Sequence, residues 1–597
     1  MKIVIKYFAL ILGCHFLYRI LFLFKYLDKV EHPIETFLNA ISVDLSTTSY
    51  ITLLFIILSL VFKLTKLNIF NSVRKHTSLM ICFILFLAEY SSLAIYEHWG
   101  NTITYRATSY LEDGSSGWNT LLENIDLYII PSALILTLHI YITTNLLKTI
   151  ESNISVFKLI LAIPFLLLLM RGGIQKIPIS SSKAFFSKNQ TDNYTAVNKL
   201  RYFLDSYANV KVYNELTTRS NSNYINIDSV MNINCIEYNI VTKKPTDIIL
   251  LVMEGIPNSA LNLKINDSYI AENIRRIAKN GLRFTNAFSS GFRTDQGIIS
   301  IFNGLPAYPY INILKKFSRL SNHDNLIDEM NYSGYNTSFI YGGESQFSDL
   351  KKYLLGTKLD DLIDSDHFPS QTKTSSWGVP DHILLDTAFH YIERSKTPTF
   401  STILTSSSHT PFDIPNRNVK LYNNYENFVA SIEYLDSAIN DFTNNLNSLP
   451  NRNLLLIITS DHGSMHLGHG YNDHERFHIP LIMTGNSLDF VYVEKENHRN
   501  LSLHDLPLSI LSLVKSQPQD KKFALSTNIF SNCPNSNAYW VTDNAVGYIE
   551  NEQNLGLEHS NGNVFQHNIY QDSLSLRRLQ QNAISTFDYY NNYLLSK

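Results

Sequence analysis

Apolar and polar positions divide this 597-residue chain into two unlike regions. As far as residue 170 the apolar residues fall in long runs: Tyr7–Phe24, Phe37–Phe62, Ser78–Tyr96, Leu127–Leu147 and Ile154–Met170. A membrane-spanning helix needs about 20 mostly apolar residues. Residues 1–170 therefore read as a bundle of about five transmembrane helices. The first run is the least clean, with His15 and Arg19 inside it, and the last is short. A cleaved signal peptide is the alternative for the first run, but no small-residue cleavage site is evident and further spans follow.

The pattern changes after Met170. Residues 171–244 have mixed polarity, with an amphipathic periodicity over Val197–Tyr207 that predicts a linker helix at the membrane surface. From Pro245, short apolar runs alternate with helical patterns. The predicted strands are Asp247–Met253, Arg283–Ala287, Thr337–Tyr341, Thr399–Thr405, Leu454–Thr459 and Pro480–Thr484. Helices are predicted between them, at Ile270–Asn280, Asn325–Asn331, Pro380–Ser395 and Asn427–Leu446. Continuous apolar strands separated by helices specify a parallel sheet covered on both faces. This α/β domain covers 245–522, and 523–597 reads as its C-terminal appendage, with strand-like runs at Ala538–Thr542 and Val546–Ile549.

Charge sets the orientation. The loop after the second span carries Lys63, Lys66, Arg74 and Lys75, which marks it as cytoplasmic. The loop before the fourth span carries Glu97, Glu112, Asp113, Glu123 and Asp126 against Arg106 alone. Five spans then place the α/β domain outside the cytoplasmic (inner) membrane. Asp44, Glu89 and His139 lie within spans, where mutual pairing inside the bundle is the simpler reading and a grip on a lipid headgroup the functional one. A net charge of −3 offers no basic field for nucleic acid, and four cysteines exclude a disulfide scaffold or a multi-cysteine zinc module. Cys235 and Cys533 are the pair outside the apolar runs and are free to bridge.

Four positions carry the candidate chemistry. Glu254 follows the strand Asp247–Met253, and Asp461 and His462 follow the strand around Leu454–Thr459. Thr294 sits at the predicted start of a helix through Asn303. Active groups in open α/β sheets collect beyond the carboxyl ends of strands. Two carboxylates, an imidazole and a hydroxyl make a reasonable divalent-metal site, with the hydroxyl activated for attack on phosphorus. Each residue also has a plainer reading: Thr294 as a helix N-cap, Glu254 as a surface charge, Asp461 and His462 as a polar turn.

The motifs together are more specific than any one of them. They are Val-Met-Glu-Gly at 252–255, Arg-Thr-Asp-Gln-Gly at 293–297, Asn-Gly-Leu-Pro-Ala-Tyr-Pro at 303–309 and Tyr-Gly-Gly-Glu-Ser-Gln-Phe at 341–347. Trp-Gly-Val-Pro-Asp at 377–381, Ser-Ser-His-Thr-Pro-Phe at 407–412, Ser-Asp-His-Gly at 460–463 and His-Ile-Pro-Leu at 478–481 complete them. The segment from Pro245 to Val514 resembles the sulfatase/alkaline phosphatase superfamily, and within it the lipoteichoic acid synthase-like branch. Five spans before an outward domain fit that branch, as does Arg-Gly-Gly at 171–173.

The resemblance implies that Glu254, Thr294, Asp461 and His462 hold one divalent ion, manganese by preference and zinc or magnesium otherwise, with Thr294 as nucleophile. It assigns His409, Trp377 and, more weakly, His478 to the transferred headgroup. The implied activity moves a phosphoglycerol-type group from a membrane phospholipid to an extracytoplasmic glycan or polymer through a phosphothreonine. Sulfate ester hydrolysis is disfavoured, because Thr294 stands where sulfatases carry the formylglycine precursor. Phosphoethanolamine transfer and phosphodiester hydrolysis in the same fold remain alternatives. His409, His469, His474 and His478 leave a second metal site open. A catalytically dead sensor or scaffold is the reading from another class, and bound metal would distinguish it.

Overall fold

The computed structural model describes the chain except residues 1, 66, 100–101, 104–127, 150–154, 176–177, 188, 209–235, 238–245, 309–312, 317–319, 321, 471, 489–494, 516–521, 533–536, 543–544, 559–563, 569–572 and 597. Cys235, Cys533 and the acidic residues Glu112, Asp113, Glu123 and Asp126 lie outside the described residues. The chain divides into two compact units, 1–214 and 215–597.

In the first unit the apolar runs become α1 (Lys2–Lys25), α2 (Pro33–Thr65), α3 (Asn68–Trp99), α4 (Ile129–Thr149) and α5 (Val156–Arg171). Four of them are long and apolar enough to cross a membrane. The described α5 has 16 residues. At 1.5 Å per residue it is about 24 Å long, short of the ~30 Å hydrocarbon core.

The acidic residues within the apolar helices pair, though not with one another. Asp44 receives both guanidinium arms of Arg19, at 2.6 and 3.0 Å, and Glu89 lies 3.4 Å from His15. The partners come from α1, so the polar residues that broke its apolar run are the ones that meet the carboxyl groups of α2 and α3. His139 is buried, and its Nε2 has no partner among the described residues.

The linker periodicity over Val197–Tyr207 becomes α7 (Lys199–Ala208), preceded by a further short helix, α6 (Gln190–Ala196). Their corner is drawn into this polar cluster: Asn198 donates to Asp44 at 2.8 Å, and Arg19 donates to the carbonyls of Thr195 and Ala196. Lys199 is buried, its ammonium on the carbonyl oxygens of Tyr194 and Val197 and 4.3 Å from the Phe22 ring centre.

The second unit is built on eight strands: β1 (Asp247–Met253), β2 (Leu282–Phe288), β3 (Asn336–Tyr341), β4 (Asp361–Ile363), β5 (Thr399–Leu404), β6 (Leu454–Ser460), β7 (His478–Thr484) and β8 (Glu496–Ser502). Their order is β8-β2-β7-β6-β1-β5-β3-β4. Residues 247–253 and 454–460 are buried throughout, as their unbroken apolar sequence requires of strands covered on both faces. Seven strands share one direction. β7, expected as part of a parallel sheet, runs antiparallel to both β2 and β6. Among the described residues between β6 and β7 the chain forms only the four-residue helix His474–Phe477, not the longer crossover helix usual between parallel neighbours.

Helices α8 (Glu272–Asn280), α9 (Thr294–Asn303), α10 (Leu326–Tyr332), α11 (Asp381–Arg394), α12 (Asn424–Asn447) and α13 (Leu506–Val514) accompany the sheet. One apolar cluster joins Ile249, Leu251 and Ile458 of the sheet to Ile274 of α8, Leu384 of α11 and Ile432 of α12. The C-terminal residues form a separate antiparallel sheet, β9 (Asn537–Val541), β10 (Ala545–Glu550), β11 (Gln553–Glu558) and β12 (Val564–Asn568), followed by α14 (Ser573–Ser596). Trp540 stacks on Phe477 at 4.4 Å, and the Val541 amide donates to the Ser290 carbonyl at 2.9 Å. That second contact braces the loop leading into Thr294.

Candidate active site

Strand register builds the site. Met253 lies opposite Ser460, so the next residue of each strand, Glu254 and Asp461, emerge side by side. On the other flank Val252 lies opposite Leu404, which brings the segment from Thr405 to His409 to the same edge. A turn at Gly255, with φ of +64°, follows Glu254 immediately, and its amide donates to Asp461 Oδ1 at 3.0 Å. A side chain would strain that left-handed backbone.

Glu254, Asp461 and His462 each offer a ligand atom, all within 4.8 Å of one another. His462 Nε2 is 3.5 Å from Glu254 Oε1 and 3.6 Å from Asp461 Oδ2, too far for hydrogen bonds and suited to a shared cation. The other imidazole nitrogen, Nδ1, lies 2.9 Å from the Gly463 carbonyl, which can only accept. Nδ1 therefore carries a proton, and Nε2 is the ring nitrogen that faces the cluster. Asp461 Oδ2 is buried without a hydrogen-bond partner among the described residues. Burial, and then the nearby Asp461 charge, push the Glu254 carboxyl well above the usual carboxylate range. Two buried carboxylates with an imidazole are a donor set that a divalent cation fits, since it removes the repulsion and satisfies the orphaned oxygen. The oxygen-rich, thiolate-free set suits manganese or magnesium as well as zinc.

Thr294 is the first residue of α9, and the N-cap is Arg293, which makes no side-chain capping bond. The plain reading of Thr294 as a cap thus fails, and among the described residues its hydroxyl makes no hydrogen bond. It lines a cavity of about 300 Å3 together with Glu254, His462, Trp377 and His409. The tight approach of α9 to β6 rests on Gly297, where an added Cβ would sit 2.5 Å from the Asp461 carbonyl oxygen.

The rings of Trp377 and His409 lie 3.8 Å apart. Trp377 Nε1 donates to the Thr410 carbonyl at 2.8 Å, and His409 Nδ1 lies 3.1 Å from the same oxygen. His409 is thereby held with Nε2 unprotonated, and burial lowers its pKa, so the ring is neutral at physiological pH. Such an imidazole accepts a proton readily.

His478 is not brought to this cavity. Its Nε2 donates to the Thr285 carbonyl at 2.6 Å, its ring stacks on Phe288 at 4.9 Å, and Nδ1 is 3.5 Å from Glu475. His469 and His474 lie beside Asp473, but among the described residues Glu254, Asp461 and His462 form the only three-membered cluster close enough to share an ion.

Asp381 ends the Trp-Gly-Val-Pro-Asp motif, but its role is visible only in the fold. The buried Asp381 carboxylate accepts from the amides of Ser406 and Ser407, at 2.9 and 3.1 Å, and so shapes the segment carrying His409. Arg293, Glu344 and Ser406, which also line the cavity, were equally unassigned. Their motif positions were the available signal.

A model of the sulfatase family matches residues 246–516. Among curated proteins, lipoteichoic acid synthase of Staphylococcus aureus (strain bovine RF122 / ET3-1) is 21% identical over 224 residues, covering 35% of this chain and 34% of that protein. The chain thus aligns with about a third of the length of the curated relatives it matches. Among solved structures, a protein of the alkaline phosphatase superfamily from Vibrio parahaemolyticus covers 65% of this chain and 97% of its own, at 21% identity and a TM-score of 0.49. The lipoteichoic acid synthase LtaP from Listeria monocytogenes covers 60% and 96% respectively, at 13% identity and a TM-score of 0.49.

Proposed function

We propose, from the match of residues 246–516 to a model of the sulfatase family, that the chain is a membrane-anchored phosphotransferase of the sulfatase/alkaline phosphatase superfamily. It moves a phosphoglycerol-type group from a phospholipid donor to a hydroxyl of an extracytoplasmic glycan or polymer. The observation that carries this reading is the meeting of Glu254, Asp461 and His462 at adjacent strand ends, with the uncapped hydroxyl of Thr294 lining the same cavity. A divalent ion, manganese by preference, would be held by those three side chains and Thr294, where it would acidify the hydroxyl and offset charge on phosphoryl oxygens.

The chain's own residues then divide the work. Thr294 Oγ forms a bond to phosphorus as the bond to the diacylglycerol oxygen breaks, and the threonine proton ends on that leaving oxygen. In the second half the acceptor hydroxyl forms its bond to phosphorus while the Thr294 bond breaks. His409 Nε2 takes the acceptor's proton, which returns to Thr294. Trp377 packs beside His409 and supplies a fixed apolar wall for the headgroup.

The cavity, at about 300 Å3, suits a headgroup rather than an acylated lipid. The helices of the first unit would keep the site at the bilayer surface, where the donor is concentrated. The basic loop with Lys63, Lys66, Arg74 and Lys75 supports an outward catalytic domain.

A second reading, phosphoethanolamine transfer, is favoured by Glu344. Its exposed carboxylate lines the cavity and makes no ion pair among the described residues, an arrangement that suits an ammonium group.

Diacylglycerol release from vesicles tests both. We expect release from phosphatidylglycerol vesicles in the presence of manganese, partial activity in Thr294→Ser, and none in Thr294→Ala. Release from phosphatidylethanolamine alone would select the second reading. Wild-type rates in Thr294→Ala would overturn both.

A further inference from the structure

The segment after β5 spends nearly all of its polar groups on holding the site together. The Thr405 amide donates to Val252 O at 3.0 Å, and Thr405 Oγ1 accepts from the Glu254 amide at 3.1 Å. Ser407 Oγ lies 3.4 Å from the Asp381 amide, and Ser408 Oγ donates to the Glu254 carbonyl. The amides of Ser406 and Ser407 are taken by Asp381, and the Ser406 carbonyl accepts from the His409 amide at 3.1 Å.

One group stands outside this accounting. Ser406 is 3% exposed, and its Oγ has no hydrogen-bond partner among the described residues. The same residue lines the cavity shared by Thr294, His409 and His462. A buried hydroxyl without a partner destabilises the folded state, and an apolar replacement of similar shape relieves that.

Resting on the phosphotransfer reading above, we propose that Ser406 is a substrate-binding residue whose hydroxyl donates a hydrogen bond to an anionic oxygen of the bound phosphate ester. An ionised oxygen is the acceptor that a hydroxyl donor bonds most strongly. In the absence of ester the hydroxyl weakens the fold, and in its presence it strengthens binding. Stability and affinity should therefore move in opposite directions when it is removed, which a purely structural hydroxyl would not produce.

The test uses the full chain and Ser406→Ala, with Ser406→Thr as the variant that keeps the hydroxyl. In the ligand-free protein Ser406→Ala should melt at a higher temperature than wild type. In manganese-loaded protein, calorimetry should show its affinity for glycerol 1-phosphate weakened about tenfold, with manganese stoichiometry unchanged. Ser406→Thr should recover most of that affinity. Equal affinity in Ser406→Ala, or a lowered melting temperature, would overturn the assignment while leaving the phosphotransfer reading intact. If wild type itself failed to bind the ester, the phosphotransfer reading would fall and the role of Ser406 with it.

Discussion

Replacing Gly297 by alanine should uncouple stability from helix propensity and slow catalysis. Gly297 lies in the first turn of α9, three residues after Thr294, and α9 is buried from Asp295 to Asn303. An added Cβ would meet the Asp461 carbonyl oxygen at 2.5 Å, Asp461 Cβ at 2.7 Å and the Asp461 carbonyl carbon at 2.8 Å. Ordinary contact begins at 3.4 Å, so helix and strand must separate by about 0.9 Å. Asp461 cannot retreat easily: it is fully buried at the end of a central strand, and its carboxylate accepts from the amides of Gly255 and His462. The helix must move, carrying Thr294 away from the cluster. A misplacement of about 1 Å at a reacting group can cost about a hundredfold in rate.

On stability, propensity alone favours alanine over glycine in a helix by about 1 kcal/mol, whereas overpacking costs about 1–3 kcal/mol. The net expectation is a loss of about 0–2 kcal/mol. Diacylglycerol release at saturating donor measures the first effect and denaturant unfolding the second. Wild-type turnover in Gly297→Ala, or a gain of the full propensity term, would refute the claim that this contact sets the position of Thr294.

Asp461→Ala and His462→Ala should each lower bound divalent metal to well below one per chain, read by elemental analysis. Wild-type stoichiometry in either would remove that residue from the ligand set. Although burial pushes the Glu329 carboxyl up, Lys515 at 2.6 Å and Lys522 at 2.9 Å outweigh it and hold the carboxyl below its ordinary value of 4.5. Its contribution to stability is in place above that value and is lost as pH falls through the depressed folded value. Glu329→Gln should therefore unfold more readily at neutral pH and show a flatter acid limb in thermal melts between about pH 5 and 3. An unchanged acid limb would exclude this ion triad as its source. Reporter fusions beyond Pro245 should be active only with a reporter that works outside the cytoplasm, and activity of a cytoplasm-only reporter would reverse the orientation.

Where the apolar pattern was continuous, the fold was legible. Asp247–Met253 was expected and observed with the same bounds, because a strand buried on both faces is apolar at every position. Direction is not written in such a run, so the reversal of β7 was not. The edge strand β8, Glu-Asn-His-Arg-Asn-Leu-Ser, was missed because its first half is exposed and polar. In the bundle the sequence located Asp44 and Glu89 but not their partners, since pairing with Arg19 and His15 depends on how each helix is rotated. Glu254 and Asp461 were legible as the first polar residues past two buried strands. His478 was read toward the cavity from its neighbours in the motif, but the Thr285 carbonyl and the Phe288 ring hold it elsewhere. Ser406 was not legible, because which hydroxyl of its segment is left without a partner depends on how the folded strands and loops pack.

The central claim is that Thr294 carries the transferred group, and the mass of its peptide tests it most directly. Purified full-length protein would be mixed with manganese and phosphatidylglycerol vesicles, without acceptor, quenched and digested. The account predicts a peptide containing Thr294 that is heavier by one phosphoglycerol group, in wild type and absent from Thr294→Ala. Donor consumption with an unmodified Thr294 peptide, or with the added mass on another residue, would contradict it.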